Sequence, residues 1–96
     1  MYLIIYDITE TSLRTRVAKL LIREGFERIQ LSVFIGHFSP EENNVWSKLA
    51  SLMKETPNNK IFYLRISTES FYAMKIIGNF QPDFDYLSGK KRSLIV

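Results

Sequence analysis

A single carboxylate at the end of an apolar run is the residue best placed to do chemistry in this sequence. The run Met1–Ile8 (MYLIIYDI) is apolar at both odd and even positions until Asp7. That pattern is typical of a central strand covered on both faces. The side-chain period of two places Asp7 on the same side as Leu3 and Ile5, where the strand leaves the sheet. The carboxylate needs a partner there. Its position alone is equally compatible with a structural role, in which Asp7 caps the next helix.

The composition limits the kinds of site that the chain can build. With no Cys and one His among 96 residues, it has neither a thiolate metal site nor a multi-histidine zinc cage. A bound metal would therefore be a hard cation on oxygen ligands. The length predicts one domain, and 46% hydrophobic residues indicate a globular one.

Charge and hydropathy also narrow the function classes. The net charge of +3 is compatible with nucleic-acid binding without requiring it, because 13 basic residues face 10 acidic ones. The first apolar run is far too short to span a membrane, and no basic segment precedes it. We therefore expect a cytoplasmic protein with no membrane partner.

Basic residues concentrate in the segment that follows Asp7. An apolar stripe with helical spacing ends at Gly25 and predicts an amphipathic helix. The stripe consists of Leu13, Val17, Leu20 and Leu21. Three cations cluster on a different side, namely Arg16, Lys19 and Arg23. Arg14 falls on the other flank, close to the helix start and therefore near Asp7. The cluster is either an ordinary solvated face or a surface that neutralises phosphates.

The segment from Phe26 to Phe38 changes to a period of two, which predicts a strand. Four apolar residues form the predicted core side: Ile29, Leu31, Val33 and Ile35. The other side carries Arg28 and Phe34, and we expect Phe34 to be exposed. An exposed aromatic on an open sheet face is either an interface residue or a platform for stacking bases. The segment is long for one strand, so we expect it to bend or split near residues 30–32.

The remaining segments complete the predicted fold. Ser39 as N-cap, with Pro40 and Glu42 after it, predicts a second helix, in which Trp46 belongs to the core. His37, just before this cap, is expected on the surface. A further strand is predicted over Lys60–Ile66. The order indicates an α+β fold, a ferredoxin-like βαββαβ with two helices on one face of an antiparallel sheet.

The predicted sheet leaves one face bare. We expect its aromatic surface to be too large to hide beneath two short helices: Tyr2, Phe34, Phe62 and Tyr63. A bare apolar sheet face predicts a homodimer.

We divide the chain into a ferredoxin-like domain, residues 1–78, and a C-terminal arm, residues 79–96. Before the arm we expect a turn over Ser67–Ser70 and a strand over Ala73–Ile77. Within the arm, the basic run of Lys90, Lys91 and Arg92 precedes the apolar end Ser93–Val96. Such an end is predicted to pair as an edge strand, on the partner subunit of a dimer.

Several short motifs, in this order and spacing, resemble those of one family. The motifs are Tyr6-Asp7-Ile8, Arg14-x-Arg16-Val17-x-Lys19-x-Leu21, Gly25, and Gln30-x-Ser32-Val33-Phe34-x-Gly36. Together they resemble the CRISPR-associated Cas2 family, the small dimeric subunit of the spacer-acquisition machinery. The resemblance implies a homodimer that lies between two dimers of the Cas1 integrase and holds duplex DNA. It also implies, for several members, a metal-dependent endonuclease acting on single-stranded RNA or duplex DNA.

The resemblance also implies roles for particular residues. Asp7 is then the metal ligand, with Mg²⁺ bridged by the Asp7 carboxylates of both subunits. Positions near the dimer cleft complete the implied catalytic set: Tyr6, Arg14, Arg16, Arg28 and Phe34. The expected nucleic-acid contacts are Arg14, Arg16, Lys19, Arg23, Lys90, Lys91 and Arg92.

Three functions remain open on the sequence. The first is a Mg²⁺-dependent nuclease, although the chain offers no obvious general base other than Asp7. The second is a non-catalytic dimeric scaffold that binds duplex DNA through phosphates alone. The third is a single-strand binder that stacks bases on Phe34, and it fails if the aromatic face is a dimer interface.

Overall fold

One antiparallel sheet carries helices on both of its faces in the part of the chain that the structure describes. The structure is a computed structural model, and it describes residues 1–54, 56 and 58–78. The elements are β1 (Tyr2–Asp7), α1 (Thr11–Arg23), β2 (Glu27–Gln30), β3 (Val33–Gly36), α2 (Val45–Met53), β4 (Lys60–Arg65) and α3 (Thr68–Tyr72). The strand order is β2-β3-β1-β4, and all three strand pairs are antiparallel. This order and the two helical crossovers confirm the predicted ferredoxin-like α+β fold.

The main core lies between the sheet and the α1–α2 layer. The apolar stripe of α1 is buried as predicted, together with Val45 and Leu49 of α2 and Ile4 of β1. Trp46 is partly buried and packs against this core, which confirms its prediction. α1 ends because Gly25 adopts a φ of +103°, and the amide of Phe26 then donates to the carbonyl of Leu21 over 2.9 Å.

The predicted long strand is split into a hairpin, as expected. Leu31 and Ser32 form the turn between β2 and β3, and the pairing shifts register between Arg28 and Gln30. Leu31, predicted as core, is 79% exposed because it lies in this turn. A single alternating pattern therefore does not hold across the hairpin.

Phe34 is buried, so the prediction of an exposed Phe34 is wrong. It is fully inaccessible, lies opposite Ile4 in the sheet register, and faces the α1–α2 layer. Ile35 points to the other face and is buried as well, because Phe71 of α3 covers it. Both sides of β3 are covered, and the period of two cannot distinguish a bare face from a face that a later helix covers.

The close packing of the hairpin explains Gly36. A Cβ atom at this position would lie 2.5 Å from Cδ1 of the buried Phe26 ring. Phe26 in turn packs against Phe38, with ring centroids 4.6 Å apart. Gly36 is needed so that the backbone of β3 can approach the Phe26 ring closely, since any side chain would displace this aromatic pair.

The second helix starts later than the sequence predicts. The predicted capping box forms in part: the Ser39 amide donates to Glu42 Oε2 over 3.2 Å as predicted, but Ser39 Oγ accepts from the Glu41 amide over 3.1 Å. Ser39 is not the N-cap of α2, because that position is Asn44. The chain then makes a short 3₁₀ turn, in which Asn43 and Asn44 adopt φ values of 54° and 60°. These left-handed residues interrupt the helix, and α2 begins at Val45.

The segment after β4 also differs from its prediction. In place of a turn over Ser67–Ser70, Ser67 caps α3 by accepting from the Ser70 amide over 2.9 Å. The predicted strand over Ala73–Ile77 is wrong, because the structure gives these five residues no strand pairing. The predicted arm, residues 79–96, lies outside the described residues.

Candidate functional site

Asp7 is exposed on the face of the sheet opposite the α1–α2 layer. In β1, Ile4 and Tyr6 are buried beneath the helices, so the alternating positions Ile5 and Asp7 point to the other face. This is the side that the period of two predicts. Asp7 does not cap α1, because the N-cap position is Glu10. The Asp7 carboxylate has no hydrogen-bond or ion-pair partner among residues 1–54, 56 and 58–78.

The backbone on both sides of Asp7 is held in place. Before it, the Tyr6 hydroxyl donates to the carbonyl of Leu31 over 3.0 Å. After it, Arg14 Nη1 donates to the carbonyl of Ile8 over 3.3 Å. One residue further on, the Thr9 amide donates to Asn59 Oδ1 over 3.0 Å. The strand end is therefore anchored to three other segments while its carboxylate stays free. Asn59 was missed by the sequence reasoning, since a single loop Asn carries no signal of a contact fifty residues away.

The sheet face around Asp7 is partly apolar and partly covered. Ile5 and Phe62 lie opposite each other on β1 and β4, next to Asp7, and Phe62 is 49% exposed. Towards the other end of β1, Leu3 packs beneath the buried Phe71 of α3. We name the uncovered part, formed by Ile5, Asp7, Lys60, Phe62 and Leu64, the open sheet face.

The aromatic residues predicted for the open sheet face are mostly elsewhere. Only Phe62 lies on it. Phe34 and Tyr63 belong to the main core or pack against it, and Trp46 meets the Tyr63 ring at 4.9 Å between centroids. Tyr2 contacts Tyr63 at 6.1 Å on the same side. The prediction of a large exposed aromatic surface was therefore wrong. Tyr2 and Tyr63 are partly buried and line the edge of the helical layer.

The predicted cationic cluster lies on the helical layer, on the other side of the sheet from Asp7. Arg16, Lys19 and Arg23 are exposed and line a groove of about 410 Å³ between α1 and α2. Lys48 of α2 lines it too, and its Nζ lies 2.9 Å from Glu24 Oε2. We name this the interhelical groove. It concentrates positive charge without any contact to Asp7.

Arg14 and Arg28 line a second groove, of about 510 Å³, between α1 and the β2–β3 turn. Arg28 donates to the carbonyl of Leu31 over 3.1 Å, and its guanidinium lies 5.3 Å from the centroid of the Phe34 ring. Arg14 also donates to Thr11 Oγ1 over 3.0 Å. Both guanidinium groups are thus positioned by hydrogen bonds, with further donors left for a ligand.

The structure therefore separates the predicted site residues into different places. Asp7 lies on the open sheet face, and the α1 cations lie in the two grooves. Tyr6 and Phe34 are buried and stack on each other, with centroids 6.2 Å apart. The remaining predicted contacts, Lys90, Lys91 and Arg92, lie outside the described residues.

The donor set at Asp7 suits a hard cation but is incomplete in one chain. A carboxylate oxygen is the kind of ligand that Mg²⁺ prefers. Within the described ranges, no group of three or more His, Cys, Asp or Glu side chains could hold a metal ion. One chain therefore supplies one carboxylate, and further ligands must come from elsewhere. In the same ranges, no helix is long and apolar enough to cross a membrane.

Comparison with known proteins decides the family. The family model for the CRISPR associated protein Cas2 matches residues 1–74. The chain belongs to the Cas2 family. The resemblance carried by the motifs around Asp7, Arg14 and Phe34 is thereby confirmed.

Named Cas2 relatives cover most of the chain. A CRISPR-associated endoribonuclease Cas2 of Archaeoglobus fulgidus is 28% identical over 79 residues, which are 82% of this chain and 84% of the relative. One from Francisella tularensis subsp. novicida is 38% identical over 68 residues, 69% of this chain and 67% of the relative. The crystal structure of Streptococcus pyogenes Cas2 at pH 6.5 matches with a TM-score of 0.69 and 20% identity, over 80% of this chain and 98% of that one. That structural match supports the ferredoxin-like fold.

Proposed function

We propose that this Cas2-family protein is a metal-dependent endonuclease that acts as a homodimer on single-stranded RNA or duplex DNA in CRISPR spacer acquisition. The observation that carries the proposal is the position of Asp7. Its carboxylate is exposed at the end of a rigid central strand, unpartnered among the described residues, beside an uncovered apolar patch. The names of the Archaeoglobus and Francisella relatives, both endoribonucleases, support a nuclease.

The number of metal ligands in one chain supports the proposed homodimer. One carboxylate is too little to hold Mg²⁺, and a second copy packed on the open sheet face would contribute its own Asp7. The apolar side chains of Ile5 and Phe62 give that face a reason to be covered. Bound Mg²⁺ would polarise the phosphate and lower the pKa of an attacking water.

The chain's own residues hold this site in position. Tyr6 and Arg14 restrain the backbone before and after Asp7, so the position of its Cα atom is held. The Arg14 guanidinium lies next to Ile8 and is the predicted cation closest along the chain to the site. In this proposal Arg28 and Phe34 act on the site indirectly. Since Phe34 is buried, they influence Asp7 through the β2–β3 hairpin, which Tyr6 contacts.

Cleavage of labelled single-stranded RNA and short duplex DNA in Mg²⁺ tests the proposal. We expect the wild type to cleave, and Asp7→Asn or a chelator to abolish cleavage, because Asn keeps the side-chain shape and loses the charge. Glu69→Gln, which neutralises an exposed carboxylate on α3, is the matched control and should cleave like the wild type. Equal cleavage by Asp7→Asn would remove Asp7 as the metal ligand.

The interhelical groove favours a second function, a non-catalytic scaffold. Arg16, Lys19 and Arg23 line this groove on a face that Asp7 does not share, so it could bind duplex phosphates whether or not the chain cleaves. Such a scaffold would join two Cas1 integrase dimers around duplex DNA.

A duplex-binding titration separates the two functions. Arg16→Ala with Lys19→Ala should weaken binding of duplex DNA and reduce its salt dependence, by about 0.9 in the log–log slope for each lost phosphate contact. Asp7→Asn should leave the affinity for duplex DNA and its salt dependence unchanged. Binding without cleavage by the wild type, together with co-purification of Cas1, would favour the scaffold over the nuclease.

A further inference from the structure

Lys60 is the cation that the fold places next to Asp7. It is the first residue of β4 and lies directly opposite Asp7 in the β1–β4 register. Residues directly opposite on antiparallel strands point to the same face, with Cβ atoms roughly 4.5–5.5 Å apart. The neighbouring pair, Ile5 and Phe62, continues the same face. Lys60 therefore belongs to the open sheet face by backbone geometry.

The Lys60 ammonium is available to bind a ligand. Its side chain is exposed, and neither Lys60 nor Asp7 has a side-chain hydrogen bond or a salt bridge within the described part of the chain. The pair does not form a salt bridge with itself, although the register brings the two side chains together. An exposed pair of opposite charges gains little from a direct salt bridge, so the Lys60 ammonium can turn towards an incoming phosphate at little cost.

The predicted cations that lie within the described residues do not stand beside Asp7. Arg16 lines the interhelical groove on the helical layer, and Arg28 lies over the Phe34 ring on the helical side of the hairpin. Arg14 donates to the carbonyl of Ile8 and to Thr11 Oγ1, at the start of α1. None of them shares the open sheet face with Asp7, whereas Lys60 does.

We propose that the Lys60 ammonium binds a non-bridging oxygen of the phosphate that is cleaved at Asp7, as a catalytic residue of the site. The inference rests on the proposed nuclease function. Attack on a phosphodiester increases the negative charge on its non-bridging oxygens, and a positioned ammonium stabilises that charge. Lys suits this role as a compact point charge with three donors.

With Lys60 included, a dimeric site would carry a small positive charge. Two Asp7 carboxylates and one phosphodiester would carry three negative charges. One Mg²⁺ would offset two of them, and two Lys60 ammonium groups would leave a net charge of +1. The site can therefore accept the additional negative charge of the transition state without an arginine from the helical layer.

Three variants of exposed lysines test the proposal. Lys60→Met keeps much of the side-chain length and removes the charge, so kcat/KM for the labelled RNA should fall roughly 10- to 100-fold. Lys60→Arg should restore most of the activity. Lys75→Met makes the same change at an exposed lysine beside Ile29 and should cleave like the wild type. Denaturation midpoints of all variants exclude a merely structural effect.

The outcomes separate this inference from the proposed function. Wild-type rates in Lys60→Met, with Asp7→Asn inactive, would overturn the role of Lys60 and keep the nuclease. If the wild type itself does not cleave, the proposed nuclease function is wrong. The affinity for RNA then tests whether Lys60 contacts a phosphate. Weaker RNA binding by Lys60→Met than by Lys75→Met would then support a phosphate contact, and equal binding would overturn it.

Discussion

Tyr6 adjoins the candidate metal ligand but belongs to the core. Its side chain is 2% exposed, its ring stacks on Phe34, and its hydroxyl donates to the carbonyl of Leu31. The same carbonyl accepts a second hydrogen bond from Arg28. Tyr6 therefore joins the end of β1 to the hairpin turn, and a variant at this position acts on Asp7 through the backbone.

Replacing Tyr6 by Phe should lower the free energy of unfolding by about 1 kcal/mol, because one partly buried hydrogen bond is lost. The cost stays small since Arg28 still satisfies the Leu31 carbonyl. Urea denaturation measures the change, and Tyr2→Phe is the control, because the Tyr2 hydroxyl has no hydrogen bond within the described residues. Equal stability of Tyr6→Phe and the wild type would contradict the assigned role of the hydroxyl.

At the scale of elements, β4 is tied to the segment before α2 by a side-chain contact. The Tyr63 hydroxyl donates to the Glu41 carboxylate, just before the two left-handed Asn residues. This hydrogen bond, with burial and the Glu41 charge as smaller causes, raises the pKa of Tyr63 above its usual value of 10.0. The contact fixes where the chain enters α2.

The raised pKa predicts a pH dependence of stability. A group whose folded pKa lies above its unfolded value stabilises the fold fully below the unfolded pKa. That contribution is lost as the pH rises through the folded pKa. We therefore expect the contact to support the fold fully below pH 10.0 and to be lost as the pH rises through the raised pKa of Tyr63.

Ultraviolet difference titration of the wild type against Tyr63→Phe isolates the Tyr63 curve from the other tyrosines. Glu41→Gln should move that curve to lower pH, because the anionic acceptor is lost. Glu42→Gln is the matched control, since Glu42 bonds the Ser39 amide instead. A Tyr63 curve that is the same in Glu41→Gln and the wild type would contradict the assigned cause.

At the scale of the whole molecule, the two sides of the sheet have different surfaces. The helical layer presents cations in two grooves, and the open sheet face presents Phe62, Leu64 and Ile5 around the Asp7–Lys60 pair. Phe71 of α3 covers only the other end of this side. A second copy placed on the open sheet face would leave both grooves accessible to nucleic acid.

This arrangement predicts that Phe62→Asp dissociates the proposed homodimer, because it places an unpaired charge in an apolar interface. Ile22→Asp is the matched control, since Ile22 is 47% exposed against 49% for Phe62 but lines the second groove, between α1 and the β2–β3 turn. Light scattering coupled to gel filtration gives the mass of each variant. A dimer that persists in Phe62→Asp, or dissociates equally in Ile22→Asp, would count against this face as the interface.

The sequence by itself determined the local structure and the fold class. Apolar runs, helical spacing and Gly25 predict β1, α1 and the hairpin, because period and turn chemistry depend on neighbouring residues alone. The side of β1 that carries Asp7 followed from the period of two. The family followed from the spacing of short motifs around Asp7, Arg14 and Phe34.

Only the tertiary structure decided which residues share a surface. Phe34 became core because α1 and α2 cover one side of β3, and Phe71 covers Ile35 on the other. Asp7 acquired Lys60 as its neighbour through strand pairing across more than fifty residues, and Arg16 was placed on another side of the sheet. These outcomes depend on packing and register between distant segments, and no local pattern in the chain encodes them.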